Sequence, residues 1–335
     1  MADGYSPLLA AYELVPPVEL FRLPHSGVNN RTMGVRTGAG EFVWKVYTSG
    51  GDMAGIIYEH RLLAWLGSNR CSFGVPVPLP ARSGETVSAM DGGWQALFVR
   101  LAGTRPDSSS PAHASSVGDA LGQLHTALAR YPVAKRPGVS PFGDMQRVHA
   151  RVPDPFNLTP HDLSLLDRPP YNALLGWWRA ELAALRSFAN GAYRALPWQV
   201  IHGDFAPSNT LLGAGRVSAV LDFEFALPDA RALDLASGLH FSMRVLENPE
   251  PWQVARRFCQ GYGRWIRLTE AEVAAVPWLM RLRNAVSSVW WLGRGLAAGN
   301  VSPAVECMRS AQGVAGWLRI HEQRLLELIG SEASP

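Results

Sequence analysis

Between Val200 and Ala226 the chain reads VIHGDFAPSNTLLGAGRVSAVLDFEFA, and this stretch limits the possible folds more than any other. His202, Asp204, Asn209 and Asp222 interrupt segments apolar enough to be buried strands. A carboxylate is rarely buried unless it is paired or bound to a metal. An acceptable fold must give these groups partners.

"NTLL" (209–212) and "VSAVLDF" (217–223) flank "GAGR", which predicts a hairpin. Counting outward from the turn sets Leu212 opposite Val217 and Thr210 opposite Ala219, so Asn209 and Asp222 finish near one end. Pro207 keeps the loop from Asp204 to Asn209 out of a regular helix. An amide oxygen and a carboxylate are hard ligands suited to Mg²⁺, and a separate aspartate nearby is placed to accept a proton. H-G-D-x-x-x-x-N followed by D-F on the next strand is the arrangement of phosphoryl transfer, a base and two metal ligands on one loop and hairpin. A surface turn rich in Asp and Asn is the ordinary alternative; the order and spacing of the groups favour the chemistry.

The rest of the chain reads as a β-rich part followed by a helical one. Residues 1–23 predict an amphipathic helix and an extended lead-in broken at "VPP". Arg31–Thr37 and Glu41–Tyr47 alternate around "GAG", a hairpin, and Asp52–Leu66 has helical spacing with Asp52 as N-cap. Two further strands are expected at Glu85–Met90 and Gln95–Leu101. "AGTRPDSSSPAHASS" then shifts the composition to a linker, which divides the chain into 1–101 and 102–335. The predicted class is α+β: a small antiparallel sheet in the N-terminal lobe, a larger mostly helical C-terminal lobe, and a cleft between them.

The first lobe supplies an independent check. A kinase needs a lysine on a strand and a glutamate on the following helix to position phosphates. Lys45 sits inside "VWKVY" on the face of Val43 and Tyr47, and Glu59 shares a helix face with Ile56, Leu62, Leu63 and Leu66. A base in a buried strand and an acid on an apolar stripe each require a partner, and pairing them satisfies both. The alternative is a snorkelling lysine and an edge glutamate.

With these residues in view, the chain resembles the aminoglycoside phosphotransferase and choline kinase superfamily, whose fold is protein-kinase-like. The resemblance covers roughly Gly27 to the helices after Asp234. It implies Asp204 as catalytic base, Asn209 and Asp222 as Mg²⁺ ligands, His202 as a positioning residue, and Asp234 in "DLA" as a brace for the loop. It implies that Lys45, held by Glu59, positions ATP, with Gly27 and Asn30 of "GVNN" covering phosphates. Backbone groups from Val99 to Leu101 would meet adenine. Phe-Glu follows Asp222 where protein kinases have Phe-Gly, and no A-P-E segment is present, which favours a small-molecule acceptor.

The acceptor is less constrained. Residues 251–300 hold seven arginines, no lysine and two acids, a wall suited to a carboxylate or phosphate and not to a polycation. Solvated helix faces would account for most of them. Trp290 and Trp291 offer a cage for a quaternary ammonium or, more simply, core packing. "GVNN", "FVWKVY", "FGVPVPLPARSGET" and "VLDFEFALPDARALDLA" most resemble the homoserine-kinase-type branch, which implies an amino-acid hydroxyl as acceptor. Within the class the rivals are an antibiotic-modifying kinase and a choline or ethanolamine kinase; outside it, a non-catalytic nucleotide-binding partner protein.

Gross composition agrees with such an enzyme. A length of 335 residues, 47% hydrophobic and 18% charged residues suit a globular chain of one or two domains. A net charge of +3 without Lys/Arg runs gives no sign of nucleic-acid binding. Three scattered cysteines, no basic n-region and no long apolar run predict a cytoplasmic protein without a membrane span. Oligomeric state is left open.

Overall fold

In the computed structural model the described residues are 6–24, 29–47, 52–69, 71–132, 135–159, 166 and 171–333. The alternating segments of the first hundred residues pair into one antiparallel sheet. Its strands are β1 (Glu19–Phe21), β2 (Arg31–Thr37), β3 (Gly40–Tyr47), β4 (Ser88–Met90) and β5 (Gly93–Val99), in the order β1-β2-β3-β5-β4. Thr37 pairs with Gly40, so only Gly38 and Ala39 form the tight turn. The last strand starts two residues earlier than its sequence pattern suggests and ends at Val99.

Strand alternation divides β3 between two cores. Trp44 joins Val35, Leu97, Leu8 and Tyr12 on one face. Tyr47 and Val43 face the main core and α2 (Met53–Ser68) on the other, and Lys45 lies on that second side. The first face is covered by α1 (Ser6–Ala11), and the lead-in expected after it supplies β1. Asp52 caps α2 by accepting the Ala54 N–H at 3.1 Å.

Among the described residues the remaining α-helices are α3 (Pro111–Leu128), α4 (Asn172–Asn190), α5 (Ala232–Met243), α6 (Pro251–Tyr262), α7 (Glu270–Ala298) and α8 (Ser302–Ala333). Pro111 opens α3 behind the Ser110 cap. Thr269 and Glu272 form a capping box at α7, and Glu272 also receives the Arg231 guanidinium at 2.6 and 2.9 Å. Helices α3 and α6 touch backbone to backbone. A Cβ on Gly118 would lie 2.0 Å from the Phe258 carbonyl oxygen, and one on Gly261 would lie 2.1 Å from that of Ser115.

Two short ribbons stand among these helices. One joins β6 (Trp198–Ile201) to β9 (Leu227–Ala230); the other joins β7 (Thr210–Gly213) to β8 (Arg216–Val220). Ala214 and Gly215 make the β7–β8 turn with left-handed backbones. Leu212 faces Val217 as the count from the turn requires, but Thr210 faces Val220 and not Ala219. An irregularity between Leu211 and Leu212 shifts the register by one, a local insertion that counting from a turn does not see. A bridge from Gly74 to Ala219 ties this ribbon to the sheet-bearing part, and one from Thr104 to Leu212 ties it to the linker. Among the described residues no helix is long and apolar enough to cross a membrane, and Cys71, Cys259 and Cys307 are free thiols.

Candidate active site

A cleft of about 990 Å³ opens between the sheet and the helices. It is lined by Asn30, Lys45, Glu59, Val99, Leu101, Asp204, Asn209 and Asp222. Every site residue expected from the sequence is therefore brought together there except Gly27, which lies outside the described residues.

The floor is built from the loop after β6. Gly203 has φ +79°, and a Cβ there would lie 2.2 Å from the Phe225 carbonyl oxygen, so the H-G-D glycine meets both a backbone and a space requirement. Buried Asp234, in the first turn of α5, accepts the His202 and Gly203 N–H groups at 2.6 and 2.9 Å. His125 adds its Nε2–H to the same carboxylate at 3.3 Å and takes the Tyr262 hydroxyl on Nδ1 at 3.0 Å; it is a helix-packing histidine, as expected. His202 Nε2 lies 2.8 Å from the Leu221 carbonyl and so carries the proton, while Nδ1 accepts the Asp204 N–H at 3.2 Å. One neutral imidazole thus fastens the Asp204 loop to the residue before Asp222.

Asn209 turns its amide nitrogen toward Asp204, 2.9 Å from the carbonyl oxygen and 3.2 Å from Oδ2. Among the described residues no donor reaches its Oδ1. Asp222 follows β8 with a left-handed backbone (φ 65°, ψ 60°), which carries its carboxylate into the cleft. Burial pushes that carboxyl up to about 7; the Glu224, Asp204 and Glu59 charges add to the rise and Lys45 opposes it. An amide oxygen beside a carboxylate crowded by like charge is a donor set that fits Mg²⁺.

On the opposite wall Lys45 Nζ lies 3.2 Å from Glu59 Oε1 and 3.6 Å from Glu224 Oε2. Burial works against the ammonium, but the surrounding carboxylates hold its pKa above the ordinary lysine value. Glu224 is the residue that replaces glycine after Asp-Phe. It also takes the Asn29 amide at 2.6 Å and that of Asn30, so the segment before β2 is bonded to the turn that carries Asp222. Buried Arg136 holds the same turn from behind, donating to the carbonyls of Ala226 at 2.7 Å and Phe223 at 3.4 Å.

In the sequence Glu224 stands out only as a departure from Phe-Gly, an acid two residues after Asp222. Arg136, in a Pro- and Gly-containing loop, gave no signal. The arginines of 251–300 divide sharply. Arg281 forks onto Glu181 at 2.7 Å, and Arg256 and Arg264 pair with Glu332 and Asp119, so these belong to the scaffold. Arg283 instead reaches the Asp204 carboxylate inside the cleft. Trp290 and Trp291 both line the cleft from α7, and Trp291 also packs against the main core. Ser288 and Val289 take the fully buried positions of that helical turn, and the tryptophans are half-buried. The Arg294 guanidinium lies 4.7 and 5.8 Å from the two rings.

Comparison with known proteins agrees with this geometry. The model of the "Phosphotransferase enzyme family" matches residues 21–275. The chain is 29% identical over 257 residues to a homoserine kinase of Bradyrhizobium sp. (strain BTAi1), covering 76% of this chain and 73% of that protein. To a homoserine kinase of Caulobacter sp. (strain K31) it is 28% identical over 282 residues, covering 83% and 82%. Among solved structures, a microcompartment-associated aminopropanol kinase superposes with a TM-score of 0.68 at 20% identity, covering 98% of this chain and 99% of that one. An amicoumacin kinase in complex with AMP-PNP and Ca²⁺ gives 0.65 at 15% identity, covering 92% and 91%. The family match spans the sheet, the catalytic-type loop and the start of α7, and on that basis the chain belongs to the phosphotransferase enzyme family of small-molecule kinases.

Proposed function

We propose that the protein transfers the γ-phosphoryl group of ATP, with Mg²⁺, to the side-chain hydroxyl of a small amino acid of the homoserine type. The observation that carries this reading is the convergence of the Lys45–Glu59 pair and the Asp204–Asn209–Asp222 set on one cleft, bridged by Lys45 and Glu224. In this reading residues 1–101 hold the nucleotide, and residues 102–335 hold the catalytic loop and the acceptor.

Lys45, fixed by Glu59, grips the α- and β-phosphates; Asn30 and the backbone of Val99 to Leu101 border the nucleotide. Asn209 and Asp222 hold the metal, which when bound neutralises charge on the phosphate oxygens. Asp204 takes the proton of the acceptor hydroxyl as its oxygen bonds to the γ-phosphorus. The bond from that phosphorus to the bridging oxygen breaks, and ADP leaves with the electron pair. Positioning and fixed charge supply most of the acceleration. His202 and Asp234 act through the loop, keeping Asp204 in place.

Two features support an amino-acid acceptor over a choline-like one. Arg294 already lies over Trp290 and Trp291, so that aromatic pair has a cation. The relatives by sequence named above are homoserine kinases. The test is ADP release with ATP and Mg²⁺ across L-homoserine, threonine, choline, ethanolamine and kanamycin. L-homoserine is expected to lead, and Asp204→Asn is expected to lose turnover by at least about 100-fold while still binding ATP. Kanamycin as sole substrate, or an Asp204→Asn variant as fast as the parent, sinks the reading.

A further inference from the structure

We infer that Arg283 is the residue that selects the acceptor, by docking a carboxylate that lies near the reacting hydroxyl. The inference rests on the function proposed above and adds to it the chemical group recognised and the side chain that recognises it. Four observations lead there.

Arg283 projects from α7 on the cleft-facing side, in line with Val286, Ser287 and Trp290. Its guanidinium is the one from the arginine-rich segment that meets the candidate base, with Nη2 on Asp204 Oδ1. Its side chain is 13% exposed, and its guanidinium is flanked by Phe241 and Phe142 at 5.4 and 5.9 Å. Finally, Nη1 is used by Ser287, whereas the Nε–H is buried without any acceptor among the described residues. A buried guanidinium donor left unsatisfied is costly, and the Nε–Nη2 edge is the fork that carboxylates bind side-on.

A ligand carboxylate on that edge satisfies Nε and shares or replaces the contact with Asp204. It thereby sets an acceptor hydroxyl beside Asp204 and loosens the pair that occupies the base when the cleft is empty. A cationic acceptor has nothing to offer this fork and meets a fixed positive charge. The scaffold arginines of the same segment do not compete for the role, because Arg281 is committed to Glu181 outside the cleft lining.

The experiment compares acceptors that differ only by the carboxylate: L-homoserine against 3-aminopropan-1-ol, and L-threonine against 1-aminopropan-2-ol. ADP release gives kcat/KM for each, and calorimetry with ADP and Mg²⁺ present gives binding. The parent protein is expected to favour the better carboxylate-bearing member by about 10- to 100-fold, mainly in KM, the range of one charge-assisted fork. Arg283→Met should bring the pair within a few-fold of each other, and Arg283→Lys, which keeps charge and loses the fork, should fall between. ATP binding in each variant reports that it is folded. Equal use of both members by the parent overturns the inference and leaves the kinase reading standing, as does a preference that survives in Arg283→Met. Carboxylate- and Arg283-dependent binding without phosphoryl transfer has the opposite meaning: the docking role holds and the kinase reading falls.

Discussion

At the scale of single residues, the site depends on a few groups whose surroundings permit no substitute. Gly203→Ala must accept a left-handed backbone, about 1–2 kcal/mol on its own, and a collision with the Phe225 carbonyl. Loss of turnover together with a lowered melting temperature is the expected outcome. Lys45→Met leaves the Glu59 and Glu224 carboxylates facing each other in a nearly closed space. Removing one partner of such a buried pair costs about 3–5 kcal/mol. The double variant Lys45→Met/Glu59→Gln should regain part of that stability in denaturant titration while staying inactive; a double variant no more stable than the single one contradicts the pairing. Asp229 provides a pH signature away from the nucleotide. It accepts from Phe142 N–H at 2.9 Å, Ala230 N–H at 2.6 Å and the Tyr193 hydroxyl, yet burial pushes its carboxyl up to about 6. Between its ordinary value and about 6 the folded chain keeps a proton that the unfolded chain has released. Its contribution is full below pH ~4 and is lost as pH rises through about 6, on the order of 3 kcal/mol. The stability difference between the parent and Asp229→Asn, measured by urea at pH 4 and pH 7, should shrink by that order at the higher pH. Lys45, Glu59, Asp204, Asn209 and Asp222 were legible from the sequence because each is a polar group in an apolar frame. Arg136 was not, since its partners are backbone carbonyls far along the chain, nor was the carboxylate of Asp229, which meets the distant Phe142 N–H and Tyr193 hydroxyl.

At the scale of elements, local rules located strands and helices well where turns and caps mark them. The β2–β3 hairpin, the Asp52 cap and the β7–β8 turn all carry their own signals. The register slip at Leu211 carries none; it lies beside the bridge from Thr104 to Leu212, a contact remote in sequence. Helix contacts were equally silent. The meeting of α3 and α6 is set by Gly118 and Gly261, which a sequence reader takes for weak points in two helices. Each alanine substitution inserts a methyl group where a carbonyl oxygen already stands, and about 1–3 kcal/mol of destabilisation is expected from either. Because both act on one interface, the double variant should cost less than the sum in thermal or urea unfolding. Additive losses would mean that the two glycines do not report the same contact.

At the scale of the whole molecule, the sheet-bearing part and the helical part meet through a small number of polar links. The Gly74 bridge is a backbone link, whereas Glu224 gathers Lys45, Asn29 and Asn30 from the other side of the cleft. That gathering could not be read from sequence, since its partners lie more than 170 positions from Glu224. The two-part architecture itself could, because the shift from alternating to helical periodicity at the Ser/Pro-rich linker is long and strong. The pairing of Arg283 with Asp204 bears on a competitor present at every moment of the enzyme's life. Water is a small nucleophile that fits any cleft, and a kinase must avoid spending its nucleotide on it. On the roles proposed for Arg283 and Asp204, water brings no anion to draw the guanidinium aside, so an idle cleft keeps the Asp204 carboxylate engaged. Thrift of this kind should show as slow ADP formation without acceptor, and as a larger futile share of turnover once Arg283 is methionine.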